Sequence, residues 1–255
     1  ELDNPTAFFI DLCAFYTLAP VHRPTVEYWE TRGESWTKPE RLVCNGAYVL
    51  KEWRLFDRIR LRKNTQYWNA EKVHMESIDV LPTANRITAF NFYATGTADL
   101  MMDKNLTPTA FLTELKKRPD FHSDSFLATY FIRFNTTRKP FDDPRVRMAL
   151  SLVIEKDLIT EKITRAGEGP ADSLTPPGAG GYVSPPGPKR DPDLARKLLA
   201  EAGYPGGRNF PLVRFLTTGE TGGIDQEIGV ELQVMWEREL GIRVQLERQE
   251  WKVYL

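Results

Sequence analysis

The amino-acid sequence predicts an α/β fold, and three patterns in its second half carry that prediction. Residues 128–137 are rich in aromatic and β-branched side chains, which is typical of a long strand. A proline-started helical pattern follows this run directly. Over 210–247 the order strand, helix, strand predicts a parallel pair joined by a right-handed crossover. A chain of 255 residues has room for one large domain or two smaller ones.

In the first half, residues 41–63 predict a pair of strands. Apolar and charged side chains alternate there, and the two strands are expected to join near the sequence RLFD. The dipeptide Asn45-Gly46 is typical of tight turns and is expected to form a hairpin turn.

The same region holds the densest basic stretch of the chain. Arg58, Arg60 and Arg62 alternate with Ile59 and Leu61, so the arginines share one face of a half-buried strand. This face is the candidate for nucleic-acid binding, and a solvated edge strand is the interpretation that we favour. The net charge of −1 gives no general attraction to nucleic acids or anionic membranes.

Three shorter elements are predicted next. Residues 78–82 predict a short buried strand that ends at its proline. Residues 85–96 predict a helix closed by Gly96, because a helix end needs a left-handed residue. A further strand is expected at 98–102.

Two capped helices are predicted in the second half. Asp143 is expected to cap a helix that has Pro144 in its first position, so the acid pair Asp142-Asp143 is interpreted as a cap and not as a catalytic pair. A second helix is expected over 191–203. The apolar stripe of the first helix consists of Val146, Ala149, Leu150, Val153 and Ile154.

Between these helices lies a long loop rich in proline and glycine, residues 166–190. It is longer than an ordinary connection and contains an aromatic residue, Tyr182. Loops of this length are often functional.

No catalytic residue, metal site or cofactor is predicted. The three histidines, His22, His74 and His122, are far apart and outside any metal-ligand spacing. Neither a phosphate-binding G-x-x-x-x-G-K-[ST] loop nor a G-x-S-x-G nucleophile elbow occurs. Residues 217–223 (TTGETGG) could offer backbone amides to an anion, but a plain strand-to-helix turn is the simpler interpretation. We therefore expect a protein that is not an enzyme.

The two cysteines, the lengths of the apolar runs and the N-terminal sequence are compatible with more than one cellular compartment. Cys13 and Cys44 lie in apolar settings and are expected to be buried thiols, with a single disulfide as the alternative. The apolar runs are too short to span a membrane. The N-terminal sequence lacks the features of a signal peptide, which suits a mature secreted protein, a trimmed chain or a cytosolic protein.

Several stretches taken together are the most specific signal. They are NGAYVLKEWRLFDRIRLRK, Y-x-x-G-x-A-D at 93–99, RFNTTRKPFDDPRVRMALSLVIEKDLI, TPPG, DPDLARKLLAEAGYP and LGIRVQLERQEWKVYL. No single motif is diagnostic. In this order and spacing they resemble the extracytoplasmic oligopeptide-binding proteins of ABC transporters (solute-binding protein family 5), along the whole chain.

The resemblance implies a periplasmic-binding-protein-like fold of type II, with two lobes that clamp a ligand. Residues 1–127 are then part of lobe I, and 128–255 are part of lobe II, which carries the peptide groove. Family members are longer, so the resemblance implies that the fold of this chain is incomplete. The sheet containing 41–63 and 98–102 is accordingly expected to keep unpaired edges or to be covered by a neighbouring molecule.

The resemblance also implies ligand-binding residues. Trp251 matches a tryptophan that borders the peptide groove, a position that suits an apolar wall. Tyr130, Phe131 and Arg133 fall on the segment that passes between the lobes beside the groove. Many relatives carry an acid where Arg133 stands, so its candidate partners are a ligand carboxylate and an acid from a segment outside this chain. Asp225 matches a position that holds the far end of the ligand in some relatives, and the first turn of a helix is the alternative.

The implied function is the capture of oligopeptides for uptake, outside the cytoplasm and without chemistry. The implied partners are a peptide and the permease subunits of an ABC transporter, with neither nucleic acid nor a membrane span of its own. Three alternatives stay open: a non-peptide solute (a nickel complex, haem or a sugar), a ligand-sensing domain of a regulator, and a hydrolase. A hydrolase would need a nucleophile and a base close in space.

Overall fold

The computed structural model describes the chain at residues 2, 4–103, 106–124, 126–218, 223–249 and 253. The chain forms two compact units, residues 1–84 and 85–255. The mixed helices and strands agree with the predicted α/β class. The lobe boundary between 127 and 128 stays a prediction.

The first unit contains a three-stranded antiparallel sheet. Its strands are β1 (Tyr48–Arg54), β2 (Arg58–Lys63) and β3 (Ser77–Val80), in the spatial order β1-β2-β3. Two short helices precede the sheet, α1 (Phe9–Leu12) and α2 (Arg23–Glu30). The two strands predicted from the alternation in 41–63 are therefore confirmed.

The turn between β1 and β2 lies at the RLFD sequence, as predicted, with Phe56 at a φ of 61°. The hairpin turn predicted at Asn45-Gly46 is wrong, because this dipeptide precedes β1. Asn64, which follows β2, donates its side-chain amide to the Gly46 carbonyl at 2.9 Å. A hydrogen bond from the residue that follows β2, and not a local turn preference, therefore fixes the position of this dipeptide.

The basic face belongs to the middle strand of the sheet, so its predicted edge position is wrong. Arg60 lies opposite Asp79 of β3 and donates two hydrogen bonds to its carboxylate, at 2.7 and 2.6 Å. The hydrogen bond from Arg60 lowers the pKa of the Asp79 carboxyl. Arg58 also lies 3.7 Å from this carboxylate. Acids of the same sheet therefore neutralise part of the basic face.

The strand predicted at 78–82 forms as β3, but its predicted burial is wrong, because all four of its residues are exposed. Within the described residues, β3 and β1 each pair with β2 only. Both outer strands therefore keep one unpaired edge, as predicted for the sheet that contains 41–63.

Both cysteines are free thiols. Cys13 is exposed, and Cys44 is half-buried and donates its thiol hydrogen to the Tyr48 carbonyl at 3.3 Å. The predicted burial of Cys13 is wrong because α1 buries no residue, and its Phe9 and Leu12 are exposed as well.

The second unit begins with α3 (Arg86–Ala94), which confirms the predicted helix. Gly96 follows it with a φ of 72°, the left-handed conformation expected after a helix end. The strand predicted at 98–102 is wrong. The Ala98 amide donates to the Phe92 carbonyl at 2.9 Å, so the chain folds back on the helix instead of running on as a strand.

The long strand predicted at 128–137 is also wrong. No residue in this range pairs as a strand, and the Asn135 side chain accepts a hydrogen bond from the Thr137 amide at 3.1 Å. A strand needs a neighbour whose backbone completes its hydrogen bonds, and the described part of the chain supplies none here. A strand-like composition alone therefore did not produce a strand.

The remaining elements confirm the strand–helix–strand prediction, since β4 and β5 pair in parallel around α8. They are α4 (Leu112–Leu115), α5 (Pro144–Leu152), α6 (Lys156–Leu158), α7 (Pro192–Glu201), β4 (Val213–Thr217), α8 (Ile224–Leu240) and β5 (Val244–Arg248). A π-helical turn, Ile159–Thr164, continues α6. The helix predicted from Pro144 is shorter than expected and ends at Leu152.

The core of the second unit lies where α5, α7 and α8 meet the parallel strands. Trp236 of α8 is at its centre, with 2% of its surface exposed. Its indole N–H donates to the Leu150 carbonyl of α5 at 2.9 Å, and its ring meets that of Phe215 edge-on. The predicted α5 stripe joins this core: Val146, Ala149, Leu150 and Val153 are buried, and Ile154 packs against them.

The long loop of residues 166–190 contains no helix or strand, as predicted. Lys156 holds one end by donating to the Ala171 carbonyl at 2.6 Å. Arg190 holds the other end through Glu239 at 2.9 Å and Glu155 at 3.3 Å. The loop is therefore fixed at both ends to the second unit.

The cap of α5 is the predicted one. The Asp143 carboxylate accepts a hydrogen bond from the Arg145 amide at 2.8 Å, and the Arg145 guanidinium pairs with it at 2.6 Å. The Arg145 side chain is the first cause of a lowered pKa for the Asp143 carboxyl. The charged cap therefore stabilises the start of α5.

We expect Asp143→Ala to lower the melting temperature of the full-length protein at pH 7 by about 2–4 °C. Because the pKa of Asp143 is lowered on folding, its contribution is present above the unfolded pKa and is lost as pH falls through the folded one. The difference from wild type should therefore shrink in melts recorded at decreasing pH below 4. Asp142→Ala is the matched control, and an equal loss in both variants at all pH values would contradict this role.

Candidate functional site

An exposed aromatic segment, residues 126–134, is the first part of the candidate ligand surface. Phe126 and Leu127 are exposed, and Tyr130 and Phe131 expose 59% and 57% of their surface. Clustered exposed apolar side chains are typical of a surface that binds a ligand or a partner. The predicted residues Tyr130 and Phe131 are thus available for contact.

The aromatic segment is anchored by the residues that alternate with its exposed ones. Ile132 and Phe134 pack against the core of the second unit, and the Phe134 ring lies 5.3 Å from that of Phe141. Phe131 and Arg133, the neighbours of Ile132, are exposed. Side chains in this segment therefore alternate between the core and the solvent, as they would in a strand, although no strand forms.

The second part of the candidate surface is the carboxyl edge of the parallel pair, where β4 ends at Thr217 and β5 at Arg248. Thr218 donates its hydroxyl hydrogen to the Asp225 carboxylate at 3.2 Å, which joins the strand end to α8. Asp225 lies in the first turn of α8, as the alternative interpretation predicted. Ligands of α/β proteins collect at the carboxyl ends of strands.

Trp251 lies outside the described residues, so its place beside the groove stays a prediction. Most of the loop 217–223, from 219 to 222, is outside them as well. The described chain continues past β5 at Gln249, whose amide donates to the Thr217 carbonyl at 3.0 Å. The described chain therefore leaves β5 at the carboxyl edge of the parallel pair.

Among the described residues, none of those predicted to bind the ligand lines either of two surface cavities. One of about 430 Å³, in the second unit, is lined by Phe90, Phe111, Glu114, Leu115 and Arg118. One of about 610 Å³, in the first unit, is lined by Leu42, Val43, Cys44, Asn45, Val49, Asn64, Gln66 and Trp68.

A hydrogen-bonded cluster borders the first cavity. Arg118 donates to the Asp120 carboxylate at 2.9 and 2.7 Å, and the Tyr93 hydroxyl donates to the same group. The Arg118 hydrogen bonds hold the pKa of Asp120 well below its ordinary value, and Asp120 in turn raises the pKa of Tyr93. A charged carboxylate that accepts three side-chain hydrogen bonds stabilises the local structure.

Among the described residues, no group of three or more His, Cys, Asp or Glu side chains could hold a metal ion. His22 instead shares a hydrogen bond of 2.7 Å with Thr25, in the first turn of α2. In the same part of the chain, no helix has the length and apolar character needed to cross a bilayer.

The structure places Tyr130, Phe131 and Arg133 together in the aromatic segment and Asp225 at the strand edge. Reasoning from sequence missed Phe126, Leu127 and Thr218. The apolar run FLATYFI was the available signal for Phe126 and Leu127. The hydrogen bond between Thr218 and Asp225 could not be predicted from a periodic sequence pattern. The two residues lie on either side of the loop that joins β4 to α8, and they meet only in the folded chain.

Comparison with known proteins gives a match over the whole chain. A family model described as bacterial extracellular solute-binding proteins, family 5 Middle, matches residues 1–255. The periplasmic oligopeptide-binding protein OppA of Salmonella typhimurium is 35% identical over 262 aligned residues, covering 100% of this chain and 47% of that protein. The chain therefore spans about half the length of the curated relatives that it matches.

Solved structures match over the same length. The murein tripeptide-binding protein MppA of Escherichia coli is 33% identical, with a TM-score of 0.87, covering 100% of this chain and 50% of that one. A structure of MppA described as the unliganded open form gives a TM-score of 0.57 at 34% identity, covering 100% of this chain and 49% of that one. The two reference structures of one protein thus differ in how well they match this chain.

Proposed function

Because this chain belongs to family 5 of the bacterial extracellular solute-binding proteins, we propose that the protein containing it captures oligopeptides for an ABC transporter. One observation carries the proposal: an oligopeptide-binding relative is 35% identical over the full length of this chain. The relatives that match are named as binding proteins, and we propose that this protein likewise binds its solute without chemical change.

The exposed aromatic segment supports peptide binding. Tyr130 and Phe131 would form an apolar wall against a peptide backbone or side chain. Arg133 would attract a ligand carboxylate. We propose that Trp251 continues this wall beyond the carboxyl edge of the parallel strands and that Asp225 lies at the far end of the groove.

The division into lobes is part of the proposal. Residues 1–127 would belong to lobe I and residues 128–255 to lobe II, with the peptide clamped between them. Closure of the lobes around the peptide would produce a shape that the membrane permease subunits recognise. Main-chain hydrogen bonds would supply affinity, while hydrated pockets would tolerate varied side chains. The site of action would be the periplasm or another extracytoplasmic space.

The decisive experiment is mass spectrometry of ligands released from the full-length protein, purified natively and then denatured. We expect short peptides, followed by saturable binding of trialanine in calorimetric titrations. A bound sugar, haem or metal complex without peptide would contradict the proposal and favour the non-peptide alternative. A DNA-binding segment in the full-length protein would favour the regulator instead.

Phe131→Ala should weaken peptide binding by about tenfold, because truncation of an exposed aromatic anchor removes a large contact area. Leu212→Ala is the matched control, since Leu212 is also exposed but precedes β4, at the amino end of the sheet. The affinity of each full-length variant for trialanine, measured by calorimetry, checks this. Equal affinities in both variants would remove Phe131 from the site.

A further inference from the structure

Two segments on opposite sides of the proposed lobe boundary touch in this structure. Lys116, directly after α4, donates to the Arg165 carbonyl at 2.7 Å. The Arg165 guanidinium in turn donates to the Thr113 hydroxyl at 2.8 Å. These two hydrogen bonds join residues that are 49 and 52 positions apart in sequence.

The turn that contains Arg165 is braced by hydrogen bonds of its own. Arg165 ends the π-helical turn with a φ of 58°, in the left-handed region. The Glu168 carboxylate accepts hydrogen bonds from the Ala166 amide at 3.1 Å and the Thr164 hydroxyl at 2.9 Å, which braces the turn. A further donor from the other segment, the Ser123 hydroxyl, reaches the Ala166 carbonyl at 3.3 Å.

The contact uses surface groups and not core packing. α4 buries Leu112 and Leu115, while Thr113 and Lys116 lie on its exposed side. Because these groups are exposed, water can take the place of their protein partners when the two surfaces separate, so opening leaves no buried polar group unpaired. The contact can therefore form and break without disturbing the core.

A second polar contact crosses the same proposed boundary. Arg86, the first residue of α3, lies 3.8 Å from the Glu227 carboxylate in the first turn of α8.

We propose that Thr113, Lys116 and Arg165 form a latch that stabilises the closed state of the two lobes. This inference rests on the proposed function, because a latch has a role only if the lobes open and close around a solute. The latch would act on the lifetime of the closed complex and would not contact the solute. Its members are positioning residues.

The test compares Lys116→Met with Lys117→Met in the full-length protein. Lys117 is the matched control, because it pairs locally with Glu114 at 2.8 Å in the same short segment. We expect Lys116→Met to raise the dissociation rate of bound trialanine about tenfold, the factor supplied by one charge-assisted hydrogen bond. Lys117→Met should leave that rate unchanged, and Lys116→Arg should restore part of it.

Two further readouts separate a latch from a structural role and from the proposed function. The melting temperature of unliganded Lys116→Met should equal that of wild type, whereas a structural role would lower it. In X-ray scattering of natively purified protein, the radius of gyration of Lys116→Met should exceed that of Lys117→Met, whatever solute is bound. If trialanine binds wild type but both variants release it equally fast, the latch alone is overturned. If wild type binds no peptide, the proposed function fails, and the scattering comparison decides the latch.

Discussion

Trp236→Ala should destabilise the second unit by about 3–5 kcal/mol, the cost of truncating a large aromatic side chain in a packed core. Trp236 is 2% exposed and meets Phe215 edge-on, so truncation leaves a cavity between α8 and β4. It also removes the donor to the Leu150 carbonyl. Urea unfolding of the full-length protein, followed by circular dichroism, would show this as a lower midpoint.

Two variants separate the parts of this effect. Trp236→Phe keeps an aromatic ring but loses the N–H donor, so its unfolding midpoint should lie between those of wild type and Trp236→Ala. Val234→Ala lies on the exposed side of the same helix and should change the free energy of unfolding by about 0.5 kcal/mol or less. An unchanged midpoint in Trp236→Ala would mean that this side chain is not at the centre of the core.

Gly241→Ala should have the second large effect on stability. Gly241 ends α8 with a φ of 67°, and a Cβ placed there would lie 2.7 Å from the Gly206 carbonyl oxygen. The left-handed conformation alone costs a residue other than glycine about 1–2 kcal/mol. The backbone clash adds to this, because a carbonyl oxygen cannot rotate away like a flexible side chain.

Gly206→Ala is the matched control for this prediction. Gly206 has a similar φ of 60°, yet a Cβ there meets nothing within 4 Å. Its substitution should show the conformational cost alone, so the difference in urea midpoint between the two variants isolates the clash. Equal midpoints would show that the helix end moves aside without cost.

The starts of α5 and α7 were predictable from sequence because their causes are local. Asp143-Pro144 caps α5, and Asp191, whose side chain accepts from the Leu194 amide at 2.9 Å, caps α7. Each signal lies within one helical turn of the bond that it makes. The parallel pair was predictable for a related reason, since the order strand, helix, strand limits the possible connections.

The absence of strands at 98–102 and 128–137 was not predictable, because strand formation depends on a partner elsewhere in the chain. Composition indicates that a segment suits a sheet, but it does not supply the neighbouring backbone. Ala98 instead bonds back to α3. In residues 128–137 only the alternation of inward and outward side chains persisted.

For the candidate site, the sequence by itself determined the residue types and, through the order and spacing of its motifs, the family. Tertiary structure alone decided that Tyr130 and Phe131 are exposed. It also decided that Asp225 accepts a hydrogen bond from Thr218 and that the Arg60 guanidinium pairs with the Asp79 carboxylate. It also decided the contact between Lys116 and Arg165. The physical reason is common to all of these: burial and pairing depend on how the chain folds back on itself, whereas caps and periodicity depend on immediate neighbours along the chain.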